Sequence, residues 1–189
     1  MTPIEILVAI LCSLIIIFGF TAFTGAPFVP SKTKDIKKAF KEVYKLSSKD
    51  TIIDLGAGNG KVVKIAAEEF GAKAYGIELN PILATYAKFR VRHLKNAKIV
   101  CKDFFRFVFP VETTAVYIFG ESRDLKKFRR KIEREAERIG HSIKLISYAF
   151  AFSDLDPVSQ NDMYFCYEIG KDKPVKSHEP VQKSRSHKK

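Results

Sequence analysis

The stretch TIIDLGAGNGKVV, residues 51–63, constrains the fold more than any other part of the chain. A β-branched run ends in Asp54 and passes through Gly56, Gly58 and Gly60 into a helical pattern. Glycine belongs where the backbone must turn sharply, or where a ligand approaches the main chain with no Cβ in the way. Strand, bare turn and helix in that order open a βαβ unit, and such units build a parallel sheet covered by helices. The spacing is G-x-G-x-G, not the dinucleotide G-x-G-x-x-G that brings a pyrophosphate to a helix N-terminus. With an acid two residues before the first glycine, the loop suits a ligand that lacks phosphate and carries a cationic amine.

Downstream, short apolar runs alternate with helical stretches. Strands are predicted at 51–55, 73–77, 97–101, 115–119, 142–150 and 163–169, and helices at 60–70, 81–94 and 122–139, with a short turn after Asp103. Asn80 before Pro81 is a helix cap followed by the residue best tolerated at a first helical position, and Gly140 closes the last long helix. The fold class is therefore α/β, a mostly parallel sheet of six or seven strands with helices on both faces.

Two further acids follow the next two strands. Glu78 ends GIELNP, where α/β folds place the carboxylate that grips ribose hydroxyls, and a carboxylate can accept from both hydroxyls of a cis-diol. Asp103 in CKDFF can accept from an adenine amino group, with Phe104 placed to pack on the ring. Each has a bland reading: a structural turn for the glycines, a solvated strand edge for Glu78, a helix cap for Asp103. In order on three consecutive strands they point to a nucleoside cofactor.

Residues 4–23, IEILVAILCSLIIIFGFTAF, are apolar apart from Glu5 at the edge and have the length of a membrane span. Their 13 Leu, Ile, Val and Phe favour insertion by about 4 to 8 kcal/mol. A cleaved signal peptide fits less well, because no positive region precedes the run and the run is too long. Lysines lie only on its C-terminal side, so the N-terminus is expected out and the catalytic domain on the cytoplasmic side, or the matrix side of an organelle. A second helix, capped by Ser31 and running to about residue 46, places Ile36, Phe40, Val43 and Tyr44 on one face. Its lysines fit anionic head groups or a plain solvated face equally well.

The chain thus divides into an anchor (1–26), a basic amphipathic juxtamembrane segment (27–49), a cofactor-binding core (50–170) and a basic tail (171–189) too polar to order itself. Net charge is +12, but 32–49 and 171–189 carry +5 each and the core only +3. A nucleic-acid enzyme would place that charge around its cleft, so no nucleic-acid partner is expected. The three cysteines and four histidines are scattered, with no metal-ligand spacing, so no metal is expected.

The order Asp54-Leu55-Gly56-x-Gly58-x-Gly60, Glu78-Leu79-Asn80-Pro81, Asp103-Phe104 resembles the class I S-adenosylmethionine-dependent methyltransferases. More narrowly, Pro27-Phe28-Val29-Pro30, the block 76–81 and Ile118-Phe119-Gly120 are similar to the small archaeal protein lysine methyltransferases and the mitochondrial ones acting on the ATP synthase c-subunit and the adenine nucleotide translocase. The mitochondrial members also carry an N-terminal membrane segment. This resemblance implies a Rossmann-like methyltransferase fold that moves a methyl group from S-adenosyl-L-methionine to a protein lysine at or near a membrane. Gly56 to Gly60 would lie under the methionine part, Glu78 at the ribose, Asp103 and Phe104 at the adenine, and Phe28 and Pro30 in a lid, with Asp54 and Asn80 also binding the cofactor.

Glu121 and Tyr148, just beyond the fourth strand and near the end of the fifth, are the candidates for receiving and orienting the amine. Their bland readings are a first-turn carboxylate and an aromatic core residue. Two departures from the family stand out: one clear strand after Phe150 instead of two, and Gly120-Glu121-Ser122 where base and amide methylases carry Asn/Asp-Pro-Pro-Tyr. The second argues against nucleobase and glutamine acceptors. A lipid or small-molecule acceptor, and a non-catalytic cofactor-binding membrane protein, remain the alternatives.

Overall fold

The computed structural model describes residues 2–24, with side chains through residue 13, and residues 32–119, 125–152, 154–161 and 163–170. Of the expected features, the tail 171–189, Phe28, Pro30, Ser31 and Glu121 lie outside the described residues.

Among the described residues seven strands form one sheet in the order β3-β2-β1-β4-β5-β7-β6. They are β1 (Thr51–Leu55), β2 (Lys73–Glu78), β3 (Ala97–Cys101), β4 (Ala115–Phe119), β5 (Ile143–Tyr148), β6 (Ser159–Asn161) and β7 (Tyr164–Ile169). The first five pair in parallel, and β7 pairs antiparallel with both β5 and β6. Every residue of β1 is buried, as expected of a central strand covered on both faces.

Side chains alternate between two cores. Ile52, Ala115, Tyr117 and Ile146 face one, beneath α2 (Thr33–Lys38), α3 (Lys61–Phe70) and α4 (Pro81–Val91). Ile53, Leu55, Val116, Ile118 and Leu145 face the other, beneath α5 (Leu125–Ile139). Strand order reverses between β1 and β4, which opens a crevice at their C-terminal ends, the place where doubly wound sheets bind ligands.

The sequence leaves one strand after Phe150 where the structure has two. β6 is three polar residues with no apolar pattern, and it forms because β7 offers it an edge and the N-terminal segment ties it down. Ser159 Oγ donates to the Val43 carbonyl, and the Asn161 amide donates to the Glu42 carboxylate. The amphipathic segment is also shorter than expected: α2 runs six residues and continues as a π turn over Ala39–Val43, ended where Tyr44 turns extended. Its apolar face is spent on the protein core, since Ile36, Ala39, Phe40 and Val43 are all buried there. Tyr44 and Thr114 both donate to Asp50 Oδ1, at 2.6 and 2.9 Å, which pins this segment to the start of β1 and β4.

The expected span at 4–23 falls on α1 (Pro3–Thr24), a helix of 22 residues. Among the described residues no helix is long and apolar enough to cross a membrane. The second half of the expected span, residues 14–23, contributes only its backbone to that description.

Candidate cofactor and acceptor site

The turn after β1 is built as its three glycines demand. Gly56, Gly58 and Gly60 have φ of +83°, +53° and +73°, the left-handed region that β-carbon-bearing residues avoid. The Gly56 and Ala57 N–H groups donate to the Ile77 carbonyl at 2.9 and 3.0 Å, so β2 holds the turn across the strand gap. A Cβ built on Gly56 meets no atom within 4 Å, so bare main chain faces open space there. A Cβ on Gly60 would instead sit 2.9 Å from that of Ala87, so the third glycine serves the packing of α3 on α4.

Glu78 leaves the end of β2 and clamps the same loop. Its Oε2 accepts from the Gly58 N–H at 2.7 Å and its Oε1 from the Asn80 N–H at 2.8 Å. Asn80 caps α4, accepting from the N–H groups of Ile82 and Leu83. Asp54 lies buried beside Glu78. Burial, with the like charge of Glu78 added, pushes its carboxyl up to about 8. A carboxyl so placed gains from a cationic ligand, which restores its charged form. The donor set fits S-adenosylmethionine: open backbone, a buried acid poised for a cation, and a second acid whose two oxygens keep spare lone pairs for hydroxyls.

Asp103 is half-buried at the end of β3. Its Oδ1 caps the 3₁₀ turn Phe104–Arg106 by accepting from the Phe105 N–H at 2.9 Å, and Arg106 lies 3.8 Å from Oδ2. Phe104 stacks on Phe128 of α5, ring centroids 5.2 Å apart, so one face of its ring is already engaged. Asp54, Gly58 and Glu78 are thus brought together by direct contact or charge, and Asp103 follows the neighbouring strand.

Tyr148 ends β5 in register with Phe119 at the end of β4, and the two rings stack at 5.0 Å. Tyr164 packs on Tyr148 at 4.8 Å, and its hydroxyl lies 3.3 Å from that of Tyr117. The next residue after Tyr148, Ala149, takes φ +63°, the one described non-glycine residue in the left-handed region. Apart from Tyr148, this aromatic wall is hidden in the sequence, because residues from three strands meet only through the strand order.

Gly76 is hidden in the same way. A Cβ there would lie 2.6 Å from Ile99 Cδ1 and 2.8 Å from both Ala57 Cβ and Val63 Cγ2. A lone glycine inside the strand KAYGIE is the signal that could have found it, since glycine in a strand marks close approach of a neighbour.

A family model described as the ANTKMT methyltransferase domain matches residues 54–159, which contain all of these groups except Tyr164. The chain is 32% identical over 134 residues to the ATP synthase c-subunit lysine N-methyltransferase of Homo sapiens, covering 69% of this chain and 54% of that protein. It is 26% identical over 158 residues to a protein-lysine N-methyltransferase of Saccharolobus islandicus (strain REY15A), covering 78% and 96%. The chain spans about half the length of the human and mouse relatives, 54% and 51%. Among solved structures, an RNA methyltransferase from Salinibacter ruber in complex with S-adenosyl-L-homocysteine superposes with a TM-score of 0.70 at 21% identity, over 80% of this chain and 100% of that one. At that identity the likeness establishes the Rossmann-like methyltransferase fold and nothing finer.

Proposed function

The chain belongs to the ANTKMT methyltransferase domain family, and on that premise we propose that it transfers a methyl group from S-adenosylmethionine to lysine side chains of a protein. The observation that carries this reading is the clamp of Glu78 on Gly58 beside buried Asp54. Relatives named as lysine N-methyltransferases of archaeal and animal origin support the acceptor class.

When bound, the cofactor supplies an electrophilic methyl group on a positively charged sulfur. Asp54 and the bare loop at Gly56 to Gly60 hold the methionine part, with the Asp54 carboxylate facing the amino group. Glu78 takes the ribose hydroxyls on its remaining lone pairs, with Asn80 fixing the turn behind it. Asp103 and Phe104 would bind the adenine edge and face, and the family resemblance adds Phe28 and Pro30 as cofactor contacts. A lysine amine is protonated at neutral pH and attacks only as the free base. Glu121 and Tyr148 receive and orient it, and desolvation beside a fixed positive charge lowers its pKa. Alignment at about 3 to 3.5 Å then supplies most of the rate without a strong base.

In the same reading α1 fixes the domain to a membrane. What supports this is the sequence, in which residues 4–23 form an apolar run of the length that crosses a hydrocarbon core. The lysines that follow keep the domain on the cytoplasmic or matrix side, and the substrates are membrane-associated proteins.

Incubating the full chain in detergent with methyl-labelled cofactor, the ATP synthase c-subunit and a total membrane extract tests the acceptor. Methyl-lysine is expected after acid hydrolysis of the protein fraction. Label that extracts into organic solvent instead would overturn the lysine assignment.

A further inference from the structure

A cavity of about 160 Å³ lies between α2 and the ends of β5 and β7, with Asp35, Tyr148, Asn161, Met163 and Tyr164 among its lining. Ligand pockets for drug-sized molecules occupy roughly 300 to 1,000 Å³, so this one suits a smaller group such as a single side chain. We propose that it receives the acceptor lysine, with Asp35 drawing the ammonium to the rim and the rings of Tyr148 and Tyr164 forming the walls. The assignment rests on the lysine methyltransferase reading above.

Position supports it. Neighbouring strands lie about 4.8 Å apart, so the β5 end stands about 10 Å from the β1 end that carries the glycine loop. The stacked pair Phe119 and Tyr148 bridges that interval, and Tyr164 continues the wall into the cavity. An amine entering past Asp35 would therefore be guided along aromatic faces toward the crevice between β1 and β4.

The chemistry changes along this path in the order the reaction needs. At the rim Asp35 and Lys38 share one helix, and Asp35 supplies the attraction for a cation. Aromatic faces then hold an ammonium through the ring quadrupole. Deeper in, Tyr164 is 4% exposed, and burial above all, with the charges of Tyr148 and Asp35 added, pushes its hydroxyl up to about 12. It stays a neutral phenol, so this hydroxyl does not itself hold the amine in its protonated form. Desolvation there favours the free base.

The test uses the full chain in detergent, with the c-subunit or the acceptor recovered by the labelling experiment, and reads cofactor affinity separately by calorimetry. Asp35→Asn should raise KM for the acceptor about fivefold with kcat unchanged, as for loss of a binding interaction made before the transition state. Tyr148→Leu should lower kcat about tenfold, and Tyr148→Phe, which keeps the ring, should restore it. Met163→Trp, at a half-exposed position that adds bulk without entering the core, should raise acceptor KM even where the Tyr148 variant folds poorly. Cofactor affinity should stay at the wild-type value in all of them. Wild-type KM and kcat for Asp35→Asn and Met163→Trp would overturn the cavity assignment. A wild-type chain that binds no cofactor would instead sink the parent reading.

Discussion

Glu78 and Gly58 are joined at 2.7 Å by a hydrogen bond from the glycine N–H to a carboxylate oxygen, so the acid at the end of β2 shapes the turn after β1 before any ligand arrives. Its other oxygen is held by the Asn80 N–H. Glu78→Ala removes two charge-assisted bonds as well as the proposed ribose contact. At roughly 1.5 to 3 kcal/mol for one such bond, cofactor affinity should fall at least tenfold. Calorimetry reads the loss, and circular dichroism should show the domain still folded.

Asp54 gives the ligand-free chain a pH dependence of definite sign. Its folded pKa of about 8 lies above its ordinary value near 4, so between those values the folded state holds a proton that the unfolded state releases. Stability conferred by the protonated form is complete below about pH 4 and is lost progressively up to about 8. A cationic ligand reverses the shift and expels the proton. At pH 6 to 7 the heat of cofactor binding should therefore track the ionisation enthalpy of the buffer. At pH 9, and in Asp54→Asn, that dependence should vanish.

Gly56 and Gly76 should fail in opposite ways. Alanine at Gly76 puts a methyl group into three side chains, and overpacking of this kind costs about 1 to 3 kcal/mol. The melting temperature should drop. Alanine at Gly56 meets nothing, so its cost is the left-handed backbone alone, about 1 to 2 kcal/mol, while its methyl group points into open space, where the cofactor is proposed to lie. Affinity should suffer there far more than stability.

α5 carries a buried ion pair. Lys131 Nζ and Glu135 Oε1 are 2.6 Å apart, and both groups reach the loop before β4: Lys131 donates to the Phe107 carbonyl, and Glu135 accepts from the Phe109 N–H. Glu135→Ala strands the lysine in the core and should cost about 3 to 5 kcal/mol in urea unfolding. The double change Lys131→Met, Glu135→Leu should recover only part of that loss, because Arg138 and the Phe109 N–H also lose Glu135.

The central strands are legible in the sequence because β4 is an apolar run of five and β1 a β-branched run carrying Asp54, each followed directly by a glycine. The three acids at strand ends are legible for the same reason. β6 is not, since Ser-Gln-Asn has no apolar period and exists only by borrowing an edge from β7. The apolar stripe of α2 is plain in the sequence, but a helix face says nothing of what covers it. Here Ile36 and Phe40 bury against α3 and the sheet, and the lysines beside them stay largely in solvent. Tyr164 and Asp35 are invisible as site residues because nothing local distinguishes a tyrosine that starts a strand or an acid in a helical first turn.

The bonds from β6 back to Val43 and Glu42 join residues 116 and 119 positions apart. Vectorial synthesis brings out the acids from Asp54 to Asp103, and β4 after them, before the last strand pair leaves the ribosome. The crevice between β1 and β4 therefore precedes that hairpin in the order of emergence, whereas the cavity beside Tyr148 gains Asn161, Met163 and Tyr164 only with it.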